Sequence, residues 1–389
     1  MKDKIIKVIS YIMVALISAG TAILIYMTVD KSPSTALTGS TKLAELNQII
    51  DNYFIGDHDQ AALDDAAAQA MVEALNDPWS YYIAANQYDD YQDMMNNVTV
   101  GIGITVEADQ EGRGYVILSV TPNSPAQEVG LQAKDIIVAV EGTSIAGADL
   151  ETVTGLVKGE ENTDVILTIQ RGDQELNVTV TRKYFQLPVA TYKMLEGNIG
   201  LITIENFDAR CADETIAAIE DLRAQGAVAL IFDVRNNPGG YKDEMIRVLD
   251  YLLPEGLLFK AVNYAGQTSE DYSDASCVDL PMAVLVNGNS YSAAEFFAAA
   301  LNDFGAAVVV GEQTFGKGYF QTTIQMSDGS AVNLSIGKYY TPKGISLAGV
   351  GLEPSIKVEV DDLTAYYIYY DALEPEEDPQ IMAAVNALK

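Results

Sequence analysis

Apolar residues along this chain recur with several periods, and each change of period marks a predicted element. From Val8 to Val29 they run for 22 residues without a charge, which predicts one continuous apolar helix. Leu43, Leu46, Ile49, Ile50 and Phe54 then follow helical spacing, and an alanine-rich helix is predicted from Ala61 to Leu75. Both read as amphipathic packing helices, and Asn76-Asp77-Pro78 ends the second because proline cannot continue it. From Val98 the period drops to two. VTVGIGITVEA, GYVILSVT, DIIVAVEG, TDVILTIQRG and ELNVTVTRK are short β-branched strands split by turn formers, with a helical stretch over Leu150–Val157. Beyond Pro188 strands and helices alternate: NIGLITIENF, a helix over 213–225, VALIFDV, a helix over 243–253, MAVLVN, a helix over 292–301 and AAVVVGE. A β-rich stretch to Val360, an acidic tail from Asp361 and a closing amphipathic helix over 379–388 complete the chain, and no fixed-period repeat is present.

These patterns divide the 389 residues into a membrane anchor and linker (1–40), a helical segment (41–97), a small β-rich domain (98–186) and a core with a helical tail (187–389). Alternating strands and helices in the last predict an α/β fold with a largely parallel sheet, so the whole is a multidomain α+β chain. The apolar run is long enough to span a bilayer core of about 30 Å as a transmembrane helix. Lys2, Lys4 and Lys7 precede it, which places the N-terminus in the cytoplasm and everything after Asp30 outside. A cleaved signal peptide, with Ser18, Ala19, Gly20 and Ala22 near the cut, is the alternative, and it too exports the rest of the chain.

Charge and composition then narrow the chemistry. Acidic residues outnumber basic ones 55 to 23, a formal charge of -32, which excludes the basic footprint of a nucleic-acid binder. With 49% hydrophobic and 20% charged residues the chain is globular. One histidine, His58, and two cysteines, Cys211 and Cys277, exclude a clustered His/Cys metal site and leave His58 as the only base for a Ser-His-Asp triad. The cysteines either pair in an exported protein or remain buried free thiols.

Ser292 follows the strand MAVLVN and the break Asn287-Gly288-Asn289, at the start of a helix. There a hydroxyl stands at the carboxyl end of a strand and the first helical amides can stabilise an oxyanion. Ser292-Ala293-Ala294-Glu295 reads equally as a capping box that only satisfies backbone donors. A serine nucleophile without histidine needs a desolvated lysine as base. Lys317, between Gly316 and Gly318 and flanked by Phe315, Tyr319 and Phe320, has the most apolar setting of the basic residues, and Gln321 is placed to orient its amine; an ordinary turn with a solvated lysine is the other reading. Asn236-Asn237-Pro238-Gly239-Gly240 ends the strand VALIFDV, where paired glycines turn amides toward an oxyanion or serve turn geometry alone. Gly101-Ile102-Gly103-Ile104 opens a strand whose loop amides can capture a peptide carboxylate while the strand edge adds the peptide, or it is a plain strand start.

Taken in order, these strings resemble the C-terminal processing peptidases, or tail-specific proteases, over nearly the whole chain from about Leu43 to Leu388. Asn76-Asp77-Pro78-Trp79-Ser80-Tyr81-Tyr82-Ile83 is similar to the family's D-P-x-S-x-Y segment, and Gly101-Ile102-Gly103-Ile104 to its PDZ carboxylate loop. Asp233-Val234-Arg235-Asn236-Asn237-Pro238-Gly239-Gly240 resembles D-L-R-x-N-P-G-G, Ser292-Ala293-Ala294-Glu295 resembles S-A-S-E, Gly316-Lys317-Gly318 with Gln321 resembles G-K-G-x-x-Q, and Gly351-Leu352-Glu353-Pro354 resembles G-I-x-P. The resemblance implies a PDZ domain over 98–186 and a peptidase core like the crotonase/ClpP-like fold. It makes Ser292 the nucleophile, Lys317 the general base and Gln321 its orienting partner, with amides of Ala293 and of Gly239 or Gly240 as the oxyanion hole. The expected function is a membrane-anchored extracytoplasmic serine endopeptidase that recognises protein C-termini and needs no cofactor or metal; a homo-oligomer is left open, and in this family the PDZ domain can gate the site. Ala294 stands where the family has serine, and Lys134 stands where its PDZ domains usually have glycine; if that turn needs φ > 0, the lysine costs about 1 kcal/mol. Rival readings are a catalytically inactive PDZ-bearing adaptor or holdase, and a cell-surface serine esterase or amidase.

Overall fold

The computed structural model describes residues 38–389, so the apolar run Val8–Val29 lies outside the described residues. Among the described residues no helix is long and apolar enough to cross a membrane. The chain divides into two units, residues 1–64 and 65–389. In the first, the predicted helix spans Thr38–Tyr53, but Leu46, Ile49 and the following Phe54 stay about half exposed, so the expected packing of this stripe is absent among the described residues. The second predicted helix, Gln60–Glu73, buries no residue. Alanine supplies its periodicity but little apolar area to remove from water.

Residues 98–186 hold the predicted short strands. Val98–Gly101 pairs antiparallel with Lys183–Gln186 as a two-stranded neck, and Leu187 N–H donates to Asn97 O (2.7 Å) where the chain leaves it. Above the neck a sheet runs in the order Ile104–Ala108, Tyr115–Val120, Ile136–Val140, Asp164–Arg171, Gln174–Thr181, which leaves Ile104–Ala108 at an edge. Alternate residues Val165, Leu167 and Ile169 meet Ile117, Ile137 and Val153 in a core of their own, the period-two pattern turned into one buried face. Lys134 has φ +74°, the left-handed turn in which a lysine is strained.

The α/β core is built on a six-stranded sheet in the order Ala190–Leu195, Ile199–Ile204, Ala229–Asp233, Met282–Val286, Ala307–Gly311, Ile356–Lys357. Its first pair is antiparallel and the others are parallel. The two central strands are buried at every position because helices cover both faces. Leu230, Phe232, Val284 and Val286 pack with residues of the helices Cys211–Ala224, Lys242–Leu252 and Ala293–Phe304, while Ala229, Ile231, Ala283 and Leu285 meet Ile381, Ala384 and Val385 of the closing helix Pro379–Ala387. Arg235, itself buried, pins that closing helix by bonding Asp233, Asp378 and Gln380.

Where the pattern predicts only a β-rich stretch a second, antiparallel sheet forms, and three of its strands, Tyr81–Ile83, Gly256–Asn263 and Thr268–Ser273, lie outside that stretch. In it Ala331–Tyr340 pairs with Tyr81–Ile83, Gly256–Asn263 and Tyr319–Gln325. Asn333 Nδ2 donates to Trp79 O (3.0 Å) and Ser335 N–H to Ser80 Oγ (3.0 Å), so the Asp77–Ile83 segment is stapled to the core. The helix Asp362–Tyr369 lies in the tail read as merely acidic.

Candidate active site

Three adjacent parallel strands, Ala229–Asp233, Met282–Val286 and Ala307–Gly311, carry the three candidate loops at their carboxyl ends, so strand order alone brings the loops to one place. Side chains then tie them. Asn236 N–H donates to Asn287 Oδ1 (2.9 Å), Asn287 Nδ2 returns a bond to Asn236 Oδ1 (2.9 Å), and Ser290 Oγ donates to Val234 O (2.7 Å). Tyr291 N–H donates to Asn237 O and Phe315 N–H to Ser290 O, both at 3.2 Å.

Ser292 sits at φ +59°, ψ −122°, just before the helix Ala293–Phe304. A non-glycine residue there stores of order 1–3 kcal/mol of strain, retained where surrounding structure imposes it. The Asn-Pro-Gly-Gly loop packs directly on it: a Cβ added to Gly239 (φ +93°) would stand 2.7 Å from Ser292 Cβ and 2.9 Å from Ala293 N. Only glycine allows this approach, and Gly240 is equally bound, since a Cβ there would lie 2.4 Å from the Phe207 carbonyl carbon. The expected oxyanion donors separate. Gly239 N–H is engaged by Asn237 Oδ1 (2.8 Å), whereas Ala293 N–H and Gly240 N–H have no acceptor among the described residues. Asp208 Oδ1 also lies against Gly240; it is buried with no partner among the described residues, and burial pushes its carboxyl up to about 7.

Glu295 does more than the capping reading foresaw. Its Oε2 accepts from Ser292 N–H (3.1 Å) and from Lys317 N–H (2.8 Å), and its Oε1 from Gly316 N–H (2.6 Å) and Thr314 Oγ1 (2.5 Å). One fully buried carboxylate therefore joins the backbones of the candidate nucleophile and base through a single oxygen. Burial raises its pKa and these four donors oppose the rise.

Lys317 Nζ lies 4.3 Å from the ring centre of Trp79 and 5.9 Å from that of Tyr291. Phe315, itself 56% exposed, packs on both rings, with ring centres 5.5 Å from Trp79 and 5.7 Å from Tyr291. Desolvation in this setting pulls the ammonium pKa down to about 8, against the opposing charges of Asp77 and Glu295. Burial raises the Asp77 pKa, but bonds from Ser80 and Ser335 outweigh it and leave the net shift downward. Gln321 does not reach the amine: its Nε2 donates to Ser335 Oγ (3.0 Å) and Tyr319 O (3.2 Å), one step removed through Ser335 and Asp77. No hydrogen bond joins Lys317 Nζ to Ser292 Oγ among the described residues. Tyr339 closes the floor, donating its phenol to Lys317 O.

Of the remaining candidates, Gly101, Ile102, Gly103 and Ile104 lie in the β-rich domain. Gly103 (φ +79°) packs so closely on Ser124 that a Cβ would meet Ser124 Cβ at 2.2 Å, Ile102 is buried, and the carbonyls of Ile102 and Gly103 accept from Ala126 and Thr121. The N–H groups of Ile102 and Gly103 have no acceptor among the described residues, beside the free edge of Ile104–Ala108. His58 belongs to the first unit and bonds Asp51 (3.0 Å). Cys211 is buried and Cys277 exposed, and both are free, so of the two alternatives the pair does not form and only Cys211 fits a buried thiol. Sequence reasoning missed Trp79, Tyr291, Asn237 and Tyr339; the one available signal was Trp79, the only tryptophan, inside the Asp77-Pro78-Trp79-Ser80 string.

Residues 198–358 match the model of peptidase family S41, and residues 116–171 match that of a PDZ domain. The chain is 32% identical over 353 residues to a "Probable CtpA-like serine protease" of Staphylococcus aureus, covering 88% of this chain and 70% of that protein. Its namesake in Staphylococcus haemolyticus is 33% identical over 321 residues, covering 82% and 64%. The crystal structure of a "Putative S41 protease" from Bacteroides fragilis shares the fold, with a TM-score of 0.60 and 18% identity over 82% of this chain and 89% of that one. The chain thus belongs to peptidase family S41, as a C-terminal processing serine protease that carries a PDZ domain.

Proposed function

We propose that Ser292 and Lys317 perform the hydrolysis, in an enzyme tethered to a membrane by Val8–Val29 with its PDZ and peptidase domains on the extracytoplasmic side. The observation that carries the catalytic part is the Glu295 carboxylate holding both residues' amides, with Lys317 desolvated to a pKa of about 8. A lysine with that pKa is partly neutral near pH 7 to 8 and accepts the Ser292 Oγ proton. The alkoxide attacks the scissile carbonyl, and Ala293 N–H with Gly240 N–H face the developing oxyanion. Lys317 returns the proton to the leaving amine as the C–N bond breaks; the Lys317 amine then deprotonates a water that attacks the acyl carbon, and it returns that proton to Ser292 Oγ as the acyl C–O bond breaks. Gln321 acts on the lysine through Ser335 and Asp77. The PDZ domain takes the substrate's free carboxylate on the Ile102 and Gly103 amides and adds its tail as a strand along Ile104–Ala108. Tethering rests on the charge-free run and the three preceding lysines.

The test is cleavage of a tailed protein substrate. Ser292→Ala and Lys317→Ala should each bind it and leave it intact, and fluorophosphonate labelling of Ser292 should vanish in the lysine variant. Wild-type cleavage by either overturns the assignment. N-terminal sequencing of protein extracted from membranes tests the anchor, which fails if the mature chain begins near residue 20 to 40.

A further inference from the structure

Lys317 rests in a place that its role as a base does not explain. Its amine makes no hydrogen bond and no ion pair among the described residues; what it meets is the face of Trp79 at 4.3 Å, with Tyr291 at 5.9 Å and Phe315 completing three rings in mutual contact. An aliphatic pocket desolvates a lysine and disfavours its charge. An aromatic face desolvates it too, yet attracts the cation through the ring quadrupole and has no such attraction for the neutral amine. Two of the three rings are fixed from outside the lysine loop, Phe315 being part of it. Trp79 is held by Asn333 on its carbonyl and by Asp77 on its amide (3.3 Å), and Tyr291 by Asn237 on its amide.

We propose that Trp79 is a positioning residue for Lys317: with Tyr291, and braced by Phe315, it forms an aromatic cage that holds the protonated amine off Ser292 and releases it when the proton leaves. The inference rests on Lys317 being the base. The cage makes protonation and position one event. In the free enzyme the charged lysine, useless as a base, stays on the indole, and the neutral lysine, which the cage does not attract, turns its four-carbon stem toward the serine. The charged and titratable groups facing the lysine are Asp77 from the stapled segment, Glu295 from the serine helix, Tyr291 from the serine loop and Tyr339 from Ala331–Tyr340. The two phenols are both shifted upward by burial, Tyr339 strongly, and so stay neutral where the lysine titrates. Asp208 packs on Gly240, away from this shell.

Trp79 is the chain's only tryptophan, so its fluorescence reports on the cage directly. In the full-length protein, emission should change in a single step centred near pH 8 as the cation leaves the indole. The step should be absent in Lys317→Met and retained in Ser292→Ala. No step in the wild-type protein, or the same step in Lys317→Met, overturns the cage. Because the signal needs no turnover, it is separate from the dyad: cleavage by Lys317→Ala would remove the base assignment while leaving the fluorescence result standing. In activity, Trp79→Leu keeps an apolar wall but removes the attraction for the cation. The acid limb of its kcat/KM profile should move down by about one pH unit, and Trp79→Phe should restore most of the shift. An acid limb unmoved in Trp79→Leu, in a protein that cleaves substrate, overturns the positioning role.

Discussion

Replacing Asp208 with asparagine should stabilise the protein at pH 8 and leave its stability unchanged at pH 4. The side chain is 8% exposed, its Oδ1 has no partner among the described residues, and burial raises its pKa from 3.8 to about 7. A carboxyl whose folded-state pKa is raised holds its proton more tightly when folded. Its contribution is fully present below about pH 4, falls as pH rises toward 7 and is flat above. At about 1.4 kcal/mol for each pH unit, the loss across this window is at most about 4 kcal/mol, and solvent reaching the partly open side of the carboxyl reduces it to about 2–3 kcal/mol. Asparagine cannot ionise and avoids the loss. For domains of 150–250 residues 1 kcal/mol moves Tm by about 2–4 °C, so the variant should melt roughly 5–10 °C above wild type at pH 8. Melting curves of both proteins at intervals from pH 4 to pH 9 make the measurement, since groups titrating elsewhere contribute equally and cancel. A constant offset across the range, or a variant less stable at pH 8, would refute the reasoning, because it would mean that the carboxylate is ionised and satisfied.

Other substitutions test the loops one at a time. Gly239→Ala drives a Cβ to 2.7 Å from Ser292 Cβ at a φ of +93°, and should lower kcat/KM by about 100-fold or more as the elbow shifts; activity within a few-fold of wild type would contradict it. Glu295→Gln loses two charge-assisted bonds and turns an amide N–H2 toward backbone donors, for about 3–5 kcal/mol of destabilisation by urea unfolding and loss of fluorophosphonate labelling. Lys134→Gly relieves a left-handed lysine at φ +74° and should stabilise the PDZ domain by about 1 kcal/mol, read from its denaturation midpoint.

The residue pattern alone defines the α/β alternation, the short strands between Val98 and Gln186, and the loops holding Ser292, Lys317 and Gly239, because periodicity and turn chemistry are local properties of the chain. It also carries the excess of acid and the single histidine that turn attention to a lysine. What it leaves open is decided across distance. That the three loops meet depends on the order of parallel strands, and no strand's own sequence states its neighbours. Glu295 forms a convincing cap with Ser292, but its second partner, the Gly316–Lys317 backbone, arrives from the next strand's loop. Gln321, four residues from Lys317, points to Ser335 instead because its strand pairs with Ala331–Tyr340. The exposed helix Gln60–Glu73 shows the converse: an alanine periodicity predicts the helix and says nothing of whether it has a partner. Trp79 lies more than two hundred residues from the lysine it covers, and only pairing of Tyr81–Ile83 with the second sheet brings an indole beside that amine.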